Sequence, residues 1–295
     1  MNIKHIGVLA VLFASVMWAI EPIFAKLSYQ NSDFLQTSAI RAIFATFTAL
    51  VYVAITNKTT LRTLRINKQR LSALIYVAVV GTLFADLIYF FALTRVPVIN
   101  AVLIGHMQPI FIILIGFLIL KGDRLTKFDY VGISFMIISG LLVTTKTPKN
   151  FLTLKLGTLG DLLVLSATVA WATTAIAVRK YLKGMNAGTI AFYRFLFASI
   201  VFVIYLISRS TIRITNIYQI LVGIVVGVGT ILYYEGLQRI KAAQVSALEL
   251  STPFFAAILG FFVLGEVVTI MQIIGIFLLF VGIYYLSKKE APLAS

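Results

Sequence analysis

Residues 6–26 read IGVLAVLFASVMWAIEPIFAK, a run in which only Glu21 and the closing Lys26 are charged. A helix needs roughly 20 mostly apolar residues to cross the hydrocarbon layer of a bilayer. This run is long enough to span and too long for a signal-peptide core, so it reads as an uncleaved first span. Similar runs follow at about 36–56, 71–93, 98–120, 128–145, 159–180, 187–208, 218–238, 244–264 and 270–287. They are too long for barrel strands, whose signature is roughly ten-residue alternation. The expectation is an all-α membrane protein of ten transmembrane helices. In a chain of 295 residues this leaves no room for a large soluble domain.

Composition agrees with that reading. The chain is 60% hydrophobic and 12% charged, against about 45–50% and 25% for soluble domains. The net charge of +15 lies mostly in short segments between apolar runs. There it reads as a topology signal and a contact for anionic lipid, not a nucleic-acid surface. With no Cys and two His, neither a disulfide framework nor a thiolate site is available. No metal and no cofactor is expected. Counting Lys and Arg in the loops with the N-terminus inside puts sixteen on the cytoplasmic side and eight on the other. That bias places both termini in the cytoplasm of a multi-pass plasma-membrane protein.

The chain repeats itself. A shift of 153 lays Trp18 on Trp171, Lys26 on Arg179, Arg41 on Arg194 and Phe44 on Phe197. A shift of 144 lays Tyr89 on Tyr233, Arg95 on Arg239, Pro109 on Pro253 and Gly116 on Gly260. Residues 1–150 and 151–295 therefore read as two five-span halves. Five is odd, so the second half enters the membrane inverted, and a central cavity is expected between the halves near the midplane. One chain suffices to enclose it, which leaves a dimer open.

Each half resembles one EamA unit of the drug/metabolite transporter superfamily. The resemblance rests on a Trp followed eight residues later by a base (Trp18/Lys26, Trp171/Arg179) and on an Arg with aromatics opening the second span (Arg41–Phe44, Tyr193–Phe197). It rests also on an aromatic stretch ending in Arg (Tyr89–Arg95, Tyr233–Arg239), and on a mid-span proline followed by an acidic turn (Pro109 then Asp123, Pro253 then Glu266). Before the prolines stand Gln108 and Thr252, where the family often has an acidic or polar residue, with Glu249 one turn earlier. The resemblance implies a transporter of amino acids, sugars, nucleotide-linked metabolites or drugs.

Ionisable groups in a span cost roughly 2.5–3.5 kcal/mol at the helix centre, so the few present are candidates. Glu21, Asp86 and His106 fall at one estimated depth and suit proton coupling; each also reads as a residue that only ties helices together. Glu235 and Glu249 form a second pair of proton-coupling candidates nearer the cytoplasmic side, with Glu235 also able to pair with Arg239. Trp18, Trp171, Tyr89, Tyr193 and Tyr233 are candidate cavity aromatics, joined by Gln108, Arg194, Glu21, His106 and Glu249 as polar substrate-binding candidates. Arg194 is deep enough to meet a carboxylate, whereas Arg41 is expected to snorkel to headgroups. Pro22, Pro109 and Pro253 are candidate hinges, or static kinks. Gly223 and Gly227 read as a close-contact pair.

The expectation is a secondary transporter, not an enzyme. It moves a small metabolite by alternating access, with an amino acid favoured, export the direction and protons a candidate coupling ion. The alternatives are export of cationic drugs and, in another class, an intramembrane enzyme or a non-transporting sensor.

Overall fold

The computed structural model describes residues 2–29, 31–56, 66–92, 95–96, 104–105, 107–120, 125–154, 158–208, 213–264 and 268–288. Among them the regular structure is entirely helical. The helices are α1 (Ile3–Ser28), α2 (Phe34–Thr56) and α3, a continuous rod made of Lys68–Tyr76, a π-helical stretch Val77–Asp86 and Leu87–Ala92. Then come α4 (Gln108–Ile119), α5 (Lys127–Thr145), α6 (Leu159–Tyr181) and α7 (Ala187–Ser208). They are followed by α8 (Ile217–Arg239), α9, in two pieces Ala242–Glu249 and Thr252–Leu264, and α10 (Ile270–Ser287). A single turn, Pro148–Leu152, lies between α5 and α6.

Nine of these are long and apolar enough to cross a bilayer among the described residues. The fourth expected span is described as helix mainly over Gln108–Ile119, so the count of ten is not reached on described residues alone. The prolines expected in mid-helix stand elsewhere. Pro109 is the second residue of α4 and Pro253 the second of the latter piece of α9. The first turn of a helix has no use for the N–H that proline lacks, so both open a helical segment rather than kink one. The backbone of α1 runs helically through Pro22.

Polar caps fix the starts of the long helices. Thr126 with Asp129, Thr158 with Asp161 and Thr269 with Gln272 form reciprocal capping boxes at α5, α6 and α10. Each satisfies N–H groups that would otherwise be orphaned at a helix start.

Packing reveals the repeat in space. The first-half helix α1 lies along α8, and its repeat mate α6 lies along α3. α2 packs on α7, and α5 on α10. Contacts of α2 with α8 recur as α7 with α3, and those of α1 with α9 recur as α6 with α4. Every one of these pairs joins one half to the other. The halves are thus interleaved about a pseudo-two-fold axis, with α2/α7 and α5/α10 as pairs related across it. In a bilayer, where lipid is as apolar as leucine, close backbone approach and interhelical hydrogen bonds hold helices together. Gly223 and Gly227 supply the approach of α8 to α2: a Cβ on Gly223 would lie 2.8 Å from the Arg41 carbonyl, and one on Gly227 2.8 Å from Thr48 Cβ. Ser139 donates to the Gly275 carbonyl at 2.6 Å across α5/α10.

Gly223→Val should therefore lower stability by about 1–3 kcal/mol through overpacking, read as a lower melting temperature of the detergent-purified protein. At Gly105, where a Cβ would meet nothing within 4 Å, alanine should leave the melt unchanged; equal losses at both positions would sink the packing account.

Candidate functional site

The buried charges converge where the two halves meet. Arg41 lies seven residues into α2 and Arg194 seven residues into α7. At about 1.5 Å per residue each is roughly 10 Å from the start of its helix, and the inverted repeat makes those starts opposite faces of the bundle. The two long side chains reach toward each other and meet on one carboxylate, Asp86. Arg41 Nη2 stands 3.5 Å and Arg194 Nη2 3.4 Å from Asp86 Oδ2. Arg41 Nη2 is also 3.1 Å from Glu21 Oε1. Trp171 donates its indole N–H to Asp86 Oδ1 at 2.8 Å. Arg194 donates from Nε to Thr82 Oγ1 at 2.9 Å and from Nη1 to the Tyr234 hydroxyl at 3.0 Å.

Two acids and two bases sum to zero when all are ionised. That balance matters because an uncompensated charge in a low-dielectric interior costs several kcal/mol even after relaxation. The π-helical stretch of α3 ends on Asp86 and also carries Thr82, so both residues that Arg194 meets on α3 come from a local departure from α-helical winding. Such stretches recur at functional sites.

The aromatic candidates obey the same two-fold. Trp18 of α1 packs edge-on against Tyr233 of α8, ring centroids 5.3 Å apart. The mates, Trp171 of α6 and Tyr89 of α3, lie 5.1 Å apart. Arg41 lies 5.0 Å over Phe90, the repeat position matching Tyr234, which Arg194 contacts. The acids break the symmetry. Shifted by the repeat, Glu21 falls on Thr174 and Asp86 on Thr230. Both carboxylates of the network are therefore first-half residues, serving an arginine from each half.

A narrow crevice leads to this network, lined by Ser38, Arg41, Thr82, Asp86, Phe195 and Phe202 among others. Its free space is too narrow for a water molecule, so the crevice is a seam rather than an open cavity. Among the described residues Arg41 Nε, which is buried, has no hydrogen-bond partner.

The other expected residues divide. Arg41 does not snorkel: it is 8% exposed and ion-paired. A guanidinium with two carboxylates in reach is better compensated inside than a chain stretched to the headgroups, and residue spacing gave no sign of those carboxylates. Glu235 is a helix-end residue, paired with Arg239 one turn on and accepting from the Tyr52 hydroxyl at 3.1 Å. Tyr193 makes ring contacts with Phe192 and Phe197. Glu249, at the break in α9, forms no ion pair with the four-charge network among the described residues, and its Oε2 is buried and unpartnered there. Gln108 stands beside the Tyr233 hydroxyl. His106 lies outside the described residues. Sequence reading missed Thr82 and Tyr234; the recurrence of an aromatic at 90 and 234 under the 144-residue shift was the available signal.

Comparisons with known proteins bear on this arrangement. The model of the EamA-like transporter family matches twice, at residues 5–145 and 158–288. Among curated proteins, an uncharacterized transporter of Methanothermobacter thermautotrophicus is 25% identical over 233 residues, 75% of this chain and 66% of that protein. An uncharacterized transporter of Synechocystis is 28% identical, covering 70% of this chain and 62% of its own length. The uncharacterized transporter YyaM of Bacillus subtilis is 25% identical, covering 71% and 70%. The matches thus span about two thirds of these relatives' length. One solved crystal structure superposes with a TM-score of 0.74 over 95% of each chain at 17% identity, a likeness of fold alone.

Removing Asp86 leaves two buried guanidinium groups short of charge. Asp86→Ala should cost about 3–5 kcal/mol, while Glu21→Gln should cost less, because Arg41 keeps Asp86. Thermal unfolding ranks the two, and the Trp171 emission should shift in Asp86→Ala alone. The reverse order would remove Asp86 from the centre of the network.

Proposed function

Because the chain belongs to the EamA-like transporter family, we propose that it is a secondary carrier for a small zwitterionic metabolite, an amino acid being the favoured cargo. The observation that carries this reading is Asp86 held between two repeat-related arginines at the head of a crevice. The network is internally neutral and contains both signs. A cargo carboxylate can replace Asp86 on Arg41, whose Nε has no partner among the described residues. A cargo ammonium can take the place of an arginine on Glu21 or Asp86. Exchange of one neutral set of pairs for another avoids leaving a bare charge in the interior. A purely cationic drug would meet two guanidinium groups, which disfavours it at this site.

Alternating access then follows the packing rather than the halves. One body contains α1, α8 and α9; the other contains their repeat mates α6, α3 and α4. Each draws helices from both halves, so rocking of one five-helix half against the other is not the motion proposed. Asp86 and Trp171 belong to one body, Glu21 and Tyr234 to the other, with Arg41 and Arg194 on the axial pair α2/α7. The Asp86 contacts clasp the bodies, and cargo or a proton on Asp86 loosens the clasp. Export by proton exchange, with both termini cytoplasmic, completes the proposal.

The test is counterflow of a radiolabelled amino-acid panel in proteoliposomes. At least one zwitterion should exchange, and Asp86→Asn and Arg194→Lys should each cut its rate roughly 30-fold or more, the scale expected when a buried charge pair loses a member. Exchange of cations but no zwitterion, or full rates in both variants, would overturn the reading.

A further inference from the structure

We propose that the break in α9 binds one compact monovalent cation, at a site distinct from the four-charge network. Its ligands are the Glu249 carboxylate, the Tyr233 and Ser246 hydroxyls, and the Glu249 backbone carbonyl at the end of the Ala242–Glu249 half-helix.

The backbone is the first ground. Helical winding stops at Glu249, Leu250 caps it, and Pro253 follows at the start of the next piece. Proline has no N–H, so the Glu249 carbonyl has no donor at the position four residues on. A helix C-terminus also carries partial negative charge. Interrupted membrane helices elsewhere present such carbonyls to monovalent cations.

Side chains are the second ground. Among the described residues Glu249 Oε2 and Ser246 Oγ are buried without a hydrogen-bond partner, and the Tyr233 hydroxyl is buried with Gln108 beside it. Tyr233 is 7% and Ser246 1% exposed. Ser246 and Glu249 are three residues apart on the half-helix, a spacing that puts them on one face. Tyr233 is on α8, which packs against this half-helix. An orphaned buried polar group is costly; two on one face of a half-helix, with a third hydroxyl on the neighbouring helix, call for something that binds oxygen.

Charge selects the ligand. Among the described residues no lysine, arginine or histidine forms an ion pair with Glu249. A single carboxylate is balanced by a single positive charge, and a divalent ion would leave an uncompensated surplus. Hydroxyl, carbonyl and carboxylate oxygens suit a hard cation, and no cluster of three His, Cys, Asp or Glu exists among the described residues for a transition metal. The repeat position matching Glu249 is Gly105, so the site is single. Two sources fit the chemistry, a free alkali ion or the ammonium end of a cargo.

The experiment is a melt of the purified full chain in detergent at fixed ionic strength and pH. Sodium, potassium and methylammonium chlorides are titrated against N-methyl-D-glucamine chloride. At least one of the three should raise the melting temperature saturably, by ~2–4 °C at tenfold or more above its dissociation constant. Response to an alkali ion assigns a free ion, and response to methylammonium alone assigns a cargo group. Glu249→Gln should abolish the response, and Tyr233→Phe should weaken apparent affinity at least threefold. Should Glu249→Gln not fold, Ser246→Ala replaces it with the same expectation of weakened affinity. Since Trp18 touches Tyr233, Trp171→Phe leaves a single tryptophan whose emission reports the same titration. No response to any of the three cations overturns the proposal. So does a response of wild-type size in every variant, or one that follows pH alone, which would mean that Glu249 holds only a proton. Because the assay involves no transport, its failure leaves the carrier reading standing, and failure of the carrier reading leaves this site standing.

Discussion

A charge removed from water must find its opposite, and in this bundle that constraint falls on Asp86. Two guanidinium groups reach it from opposite ends of the structure, and an indole N–H completes it. Neither arginine would be tolerable at this depth alone. Their joint presence requires α2, α3, α6 and α7 to converge, and the interleaving of the two halves provides that convergence. Glu21 extends the network to α1, so it ties together helices from both sides of the pseudo-two-fold axis.

Symmetry and its violation do different work. The symmetric parts are packing devices: the Trp–Tyr pairs, the aromatic beside each arginine, and the crossed pairing of α1 with α8 and α6 with α3. They make two equivalent bodies, which is the geometric requirement for two conformations of similar free energy. The acids occur once. Asp86 and Glu21 have threonines as repeat mates, and Glu249 has a glycine. Chemistry is therefore confined to particular places on a scaffold that is otherwise duplicated. In the carrier mechanism proposed above, substitution of one charge pair by another would change the clasp without exposing a bare ion.

A third polar knot shows what a purely structural cluster looks like here. Lys241 Nζ lies 2.8 Å from Asp129 Oδ2, with Gln244 on the other carboxylate oxygen and the Thr126 cap beside it. Its donors and acceptors are matched and it fastens the start of α5 to the start of α9. The contrast is with Glu249, whose Oε2 is as buried but unmatched among the described residues. The two clusters are equally buried and differ in how completely their polar atoms are satisfied.

The amino-acid sequence by itself determined the solvent, the helical class and the duplication. Apolar run length is set by bilayer thickness, and paired Trp, Arg and Pro at constant offsets survive in any conformation. It also singled out Glu21, Asp86, Arg194 and Trp171, because polar groups in apolar runs are costly enough to stand out one at a time. What it could not give is partnership. Arg41 looked like a chain bound for the headgroups, since depth along one helix carries no information about carboxylates on two others. Glu21, Asp86 and Glu249 looked alike on the same scale, yet among the described residues the first two are paired and the third is not. The break at Leu250–Ser251 and the π-helical turn before Asp86 likewise depend on neighbours that pack against them. Tertiary structure decided these points because charge compensation and backbone satisfaction are properties of pairs of helices.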